Sequence, residues 1–221
     1  SQKQGAVLLL PEILFFRVSE LFLGQPHRLP LRFLYDIFSM DLDNLYSEYL
    51  GVVNSLRLKT TDNVLIASLH HQKIVHFLHG KSVKDYIMSS SKRKPSCVEG
   101  SLGTPSGLHY VCQKIGAGEK LGTVFEGRVS IGVTYLECTD DKRKKNLITT
   151  RVIRLRGLQE GVNLGGEVDT FNRYVYIHGT NHEHKLGVPS SSGCLQMGNE
   201  EIAELFDLLP KGAHLYITSP S

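Results

Sequence analysis

Past about Thr60 the chain changes period, and that change limits what it can fold into. "NVLIASLHHQKIVHFLHGKSVKDYIMSSS" reads as two or three short strands with a turn at His79, Gly80 and Lys81. "TPSGLHYVCQKIG", "TVFEGRVSIGVTYLECT" and "NLITTRVIRLRGL" continue in the same style, as short β-rich runs split by Gly, Pro or charged turns. "RYVYIHG" is one more strand, whose alternation places Val175 and Ile177 on one face and Tyr174, Tyr176 and His178 on the other. "GNEEIAELFDLLPKG" is the one firm helix of this part. Asn199 can cap it, Glu200 and Glu201 suit its first turn, and Ile202, Leu205, Phe206 and Leu209 form one apolar face. Pro210 and Gly212 end it, and "AHLYIT" is a closing strand. Many short strands and one late helix predict a mainly β domain with short helices.

Residues 1–60 read differently. Asp41 is a plausible N-cap, and Leu42, Leu45, Tyr46, Tyr49, Leu50 and Val53 follow a helical stripe after the breaks at Pro26 and Pro30. The expected organisation is therefore a helical accessory segment over 1–60 and a β-rich domain over 61–221, which suits a length of 221 residues. The apolar run "AVLLLPEILFFRVSELFLG" is broken by Pro11, Glu12, Arg17 and Glu20, so a buried or docking helix is expected there rather than a membrane span. The chain starts at Ser1 rather than Met, so it reads as a processed or trimmed product in which a signal peptide is expected to be missing rather than absent. "DDKRKKN" (140–146) reads as a charged hairpin tip and "SSSKRKPS" (89–96) as a basic loop, both solvated. A net charge of +3 argues against a dedicated nucleic-acid binder, so no nucleic-acid partner is expected. Cys97, Cys112, Cys138 and Cys194 contain no CxxC pair and make no disulfide framework.

The chemistry concentrates in "IHGTNHEHKLGVPSSSGCLQM" (177–197), with three histidines and one cysteine in a Gly- and Ser-rich run. A metal site would use His178, His182 and His184, but a loop enforces neither of their spacings and no carboxylate-rich surround is evident, so no metal is expected. Cys194 could be a small buried residue and His178 a core histidine, yet "SSSGC" is too polar and glycine-rich for an ordinary core segment. The third reading is a nucleophile with its base. A free thiol is mostly protonated at neutral pH, and an imidazole at the end of a rigid strand can take the proton and stabilise the thiolate as an ion pair. Gly193 permits a tight turn that exposes Sγ and offers backbone N–H groups to an oxyanion.

The surrounding residues resemble the signature of the L,D-transpeptidase catalytic domain (YkuD-type): a His-Gly-Thr/Ser step, a glycine, then Ser-His-Gly-Cys followed by an aliphatic residue, Arg or Asn, and an apolar residue. "GTPSG" (103–107) is similar to the family's Gly-Thr-Pro-x-Gly turn. "ITTRVIRLRGLQEGVN" with "VDTFNRYVYIHGT" looks like the strand and loop leading to the site in Gram-negative members, and "IAELFDLLPKGAHLYI" like the closing helix and strand. The resemblance covers about 61–218. It implies a β-sandwich-like catalytic domain and a cysteine that attacks a peptidoglycan stem peptide at its third residue, forming a thioester that an amine on a second stem resolves. It makes Cys194 the nucleophile, His178 the general base, the Gly179 carbonyl the holder of the imidazole, and the Gly193 and Cys194 amides the oxyanion hole. No cofactor is implied. The partners implied are donor and acceptor stem peptides, with a wall-anchored lipoprotein as a further acceptor, in the periplasm or cell envelope of a bacterium.

Two positions depart from the family pattern. The motif histidine is Ser192 here and the motif arginine is Gln196. Ser192 carries no charge near the thiolate, and Gln196 cannot make a bidentate carboxylate contact. Tyr174 and Tyr176 would wall the substrate site or add a donor, with a plain sheet-face role equally open. His182 or His184 could stand in for the missing imidazole, against a default of solvated loop residues. Three functions follow: a transpeptidase, an L,D-carboxypeptidase or amidase that resolves the same thioester with water, and a degenerate domain that only binds wall peptides.

Overall fold

A computed structural model describes residues 40–218. The apolar run over 6–24 and most of the expected accessory segment lie outside the described residues. The described part of that segment is α1 (Leu42–Ser55), in the compact unit that starts at Asp41. The Asp41 carboxylate accepts from the Asn44 amide at 3.0 Å, which caps the helix. Tyr49 and Val53 are buried against the sheet, and the Tyr49 hydroxyl bonds His214 Nδ1 at 3.0 Å.

Ten strands follow: β1 (Asn63–Ser68), β2 (Lys73–Leu78), β3 (Lys81–Ser89), β4 (Gly107–Ile115), β5 (Thr123–Glu126), β6 (Val129–Thr134), β7 (Ile148–Gly157), β8 (Tyr176–Gly179), β9 (Leu195–Met197) and β10 (His214–Thr218). The turn expected at His79 and Gly80 joins β2 to β3. Both residues have positive φ (50° and 78°), the geometry a two-residue hairpin needs. The sheet order is β4-β10-β1-β2-β3-β9-β8-β7-β5-β6, with β4 also paired to β7. Eight strands therefore close into a ring, and the β5–β6 hairpin hangs from the first residues of β7. The domain is mainly β with few short helices, and its sandwich-like form is this closed sheet.

Alternation sorts the strands into two faces. Ile153 and Leu155 of β7, Ile177 of β8, Leu195 and Met197 of β9, and Leu215 and Ile217 of β10 point into one buried core. Helix α3 (Asn199–Leu208) supplies Ile202, Leu205 and Phe206 to it, joined by Leu209 just beyond the helix. Each such side chain contributes about 1.5–3 kcal/mol when fully buried. The opposite face of β7, β8 and β9 carries Val152, Arg154, Tyr176, His178 and Gln196. Val152 pairs with His178, Arg154 with Tyr176, and His178 with Gln196.

Three sequence expectations are corrected. Residues 140–146 are not a hairpin tip: Asp140–Arg143 forms a helical turn, α2, because its acidic start and basic end suit a helix. Asn199 does not cap α3; Gly198 occupies the cap position. The Asn199 side chain turns inward, where Nδ2 donates to the Thr180 carbonyl and Glu183 while Oδ1 accepts from Thr149 and Thr150. Tyr174 lies before β8 with φ 56°, so the strand alternation does not govern its side chain.

Candidate active site

β8 and β9 run parallel, and their register builds the site. Ile177 stands opposite Leu195 and His178 opposite Gln196. Cys194, one residue before β9, falls beside the Tyr176 backbone. The Tyr176 N–H donates to Sγ at 3.4 Å, and the thiol donates to the Tyr174 carbonyl at 3.6 Å. One cleft of about 180 Å³ is lined by Asn146, Ile148, His178, Ser191, Ser192, Cys194 and Gln196. Four expected site residues, His178, Ser192, Cys194 and Gln196, thus share it. Tyr174 and Tyr176 meet the thiol through their backbones.

His178 is 4% exposed, and its Nδ1 lies 2.7 Å from the Gly179 carbonyl. A carbonyl only accepts, so Nδ1 carries the hydrogen and Nε2 is left with its lone pair. Among the described residues Nε2 has no hydrogen-bond partner. Burial pushes the imidazole down to about 4, opposed by the Gly179 bond. Burial also pushes the Cys194 thiol up to about 11, opposed by the Tyr176 N–H and by the Arg173 guanidinium. Both shifts favour the neutral thiol and imidazole over the expected thiolate–imidazolium pair. The imidazole is buried, the thiol is half-buried at the cleft, and the thiol proton is directed at the Tyr174 carbonyl.

The nucleophile turn is held from within. Gly193 has φ 129°, a backbone region that favours glycine. The Ser191 hydroxyl accepts from the Gly193 amide at 3.2 Å and donates to the Cys194 carbonyl at 2.6 Å. The Gly193 N–H is therefore engaged, whereas the Cys194 amide has no acceptor among the described hydrogen bonds. Arg173 braces the neighbouring loop, donating to the carbonyls of Ser96 (3.1 Å) and Gly103 (2.8 Å).

Ser192 is exposed on the cleft rim. Gln196 is buried, donating to Asn146 Oδ1 at 2.7 Å and accepting from Ser190 at 3.2 Å. His182 Nε2 bonds the Arg143 carbonyl at 3.1 Å, and neither His182 nor His184 lines the cleft. Between them Glu183 accepts from the Asn199 amide at 2.6 Å, tying the loop to the start of α3. No three His, Cys, Asp or Glu side chains among the described residues gather as a metal site would require. Sequence reasoning did not single out Asn146, Ile148, Ser191 or Arg173. Ser191 is the middle one of three consecutive serines, and Arg173 is the first residue of a segment read only as a strand.

The family model described as the L,D-transpeptidase catalytic domain, YkuD, matches residues 62–217. The chain belongs to this L,D-transpeptidase catalytic domain family. It is 43% identical over 49 residues to YqjB of Bacillus subtilis, a candidate L,D-transpeptidase, covering 22% of this chain and 28% of that protein. It is 49% identical over 41 residues to a candidate L,D-transpeptidase from the ATP synthase subunits region of Fuscovulum blasticum, covering 19% of this chain and 22% of that protein. Among solved structures it is similar to an L,D-transpeptidase from Mycobacterium smegmatis (15% identity, TM-score 0.45, 72% of this chain and 59% of that one). It is also similar to one from Xylanimonas cellulosilytica (17% identity, TM-score 0.45, 72% and 62%). The matches span less than two thirds of each of these relatives.

Proposed function

We propose that this chain is a cysteine-dependent L,D-transpeptidase acting on peptidoglycan stem peptides, with 61–221 as its catalytic domain and the helical segment before it as accessory. The observation that carries this reading is that Cys194 and His178 line one cleft while Gly179 holds Nδ1 and leaves Nε2 free. Sγ attacks the donor carbonyl carbon as its proton passes to Nε2, and the carbonyl oxygen becomes an oxyanion beside the Cys194 N–H. Because both shifts favour the neutral pair, this transfer belongs to the acylation step. Collapse breaks the C–N bond, the imidazolium returns the proton to the leaving amine, and a thioester remains. An acceptor amine then attacks the thioester, gives its proton to Nε2, and Sγ leaves and is reprotonated.

The acceptor is a second stem, giving a 3–3 cross-link, or the amine of a wall-anchored lipoprotein. Water in its place would give an L,D-carboxypeptidase. The substrate places the protein in the periplasm or envelope of a bacterium. The test is mass spectrometry of tetrapeptide muropeptides incubated with the protein and with Cys194→Ala. A cross-linked dimer lost in the variant supports transpeptidation. A Cys194-dependent tripeptide moves the reading to the hydrolase. No Cys194-dependent product removes catalysis on stems and leaves a binding domain.

A further inference from the structure

Beside the thiol, on the side of Tyr174 and Tyr176, three arginines gather on the rings of Phe171 and Tyr174. The β5–β6 turn brings Arg128 over the Tyr174 ring at 4.9 Å, and its Nη1 donates to the Tyr176 hydroxyl at 3.2 Å. Arg154 of β7 stacks on Phe171 at 3.4 Å and lies 5.5 Å from the Tyr174 ring, while Arg156 sits 5.0 Å from Phe171. Arg154 is 7% exposed, and its Nε has no hydrogen-bond partner; Nη1 and Nη2 reach only the neutral oxygens of Gln113 and the Phe171 carbonyl. Among the described residues none of the three arginines forms an ion pair. The carboxylate that acts on Arg156, Asp169, already accepts the Gly165 and Asn172 amides. Stacked guanidinium groups that no carboxylate pairs match a planar carboxylate, with the half-buried Arg128 as the accessible one and the buried Arg154 behind it. The same two tyrosines touch Sγ through their backbones. Gln196, which lines the cleft with Cys194, is uncharged and engaged by Asn146 and Ser190.

We propose that Arg128 and Arg154, with Arg156 adding charge, form a carboxylate-binding subsite that holds a free carboxylate of the peptide being acylated at Cys194. The identity of that peptide as a donor stem rests on the function proposed above; the subsite itself does not. Carboxylate recognition thereby lies on the hairpin side of the thiol rather than at position 196.

The first experiment needs no stem peptide. Cys194 is alkylated with iodoacetate and, separately, with iodoacetamide, followed by peptide mass spectrometry so that only Cys194 is counted. Each reagent forms an S–C bond and releases iodide, and they differ in carrying a carboxylate or an amide. Both depend equally on the thiolate fraction, so the ratio of their rates cancels any change in thiol ionisation. The ratio in the unmodified protein should exceed that of a small free thiol by about three- to tenfold at low ionic strength, as a local cationic field predicts. It should fall towards the free-thiol value in Arg128→Gln, whose side chain is only half-buried, and be retained in Arg128→Lys. An unchanged ratio in Arg128→Gln overturns the subsite.

Stem tetrapeptides with free or amidated carboxylates then separate the two readings. Cys194-dependent turnover with a KM that neither amidation nor Arg128→Gln alters overturns the subsite and leaves the transpeptidase reading standing. A lowered alkylation ratio without turnover of any stem keeps the subsite and removes the stem as its ligand.

Discussion

The Ser191 hydroxyl donates to the Cys194 carbonyl at 2.6 Å while accepting from the amide between them, so one buried side chain braces the nucleophile's turn. Ser191→Ala leaves a buried amide and a part-buried carbonyl without that partner. A loss of about 1–3 kcal/mol in stability is expected. Urea unfolding would measure it, and acylation of Cys194 by a stem peptide should slow by about tenfold or more if the misplaced turn costs over 1.4 kcal/mol in the transition state. Unchanged unfolding and acylation would show that the turn holds itself.

The thiol pushed up to about 11 should be unusually inert. The rate of Cys194 alkylation should climb tenfold per pH unit through pH 9, where an ordinary thiol near 8.5 has levelled off. Arg173 opposes the rise, so Arg173→Gln should move the profile further up and Arg173→Lys should restore it. A plateau at pH 8–9 would mean that the thiol is not desolvated as described.

Stability should fall on acidification. Burial pushes His109 and His178 down to about 4. Between about pH 6.5 and 4 the unfolded chain binds a proton at each that the native chain refuses, so stability is complete above 6.5 and declines below it. At pH 5 the loss is about 2 kcal/mol for each histidine. Urea midpoints at pH 7 and pH 5 test this, and His109→Gln should remove about half of the difference due to the pair.

Gly179→Ala should be more damaging than its size suggests. An added Cβ would lie 2.8 Å from the Thr149 carbonyl oxygen and 2.8 Å from Asn199 Oδ1. β7 and β8 would have to part where the Gly179 carbonyl fixes the His178 ring. About 1–3 kcal/mol of destabilisation is expected from the overpacking, together with a strong loss of Cys194 acylation. Thermal unfolding and acylation measured side by side would test it; a fully active, equally stable variant would contradict the fit.

Local features were the ones the sequence revealed. The His79–Gly80 turn, the face carrying Tyr176 and His178, and the apolar stripe of α3 all follow from periods of two or 3.6 and from turn chemistry. Ring closure did not, because β4–β7 pairing joins distant segments whose register no local pattern encodes. Asn199 was misread because a helix-start asparagine usually caps, and only the nearness of Thr149, Thr150 and Thr180 turns it inward. The burial of His178 was not legible for a similar reason: spacing brings two groups together but does not report the water they lose.

The three-residue strand behind the nucleophile gives the closed ring a temporal meaning. β9 holds its place only between β3 and β8, and the ring is completed by β10, which bridges β1 and β4. While a growing chain has passed Cys194 but not yet laid down β10, the barrel stands open on that side. The thiol, the imidazole and both neighbours of β9 are then already synthesised, while the ring that carries them is still open between β1 and β4. The last strand of the ring thus lies across the barrel from the nucleophile's strand, and its closure reaches the site only through the strands between them.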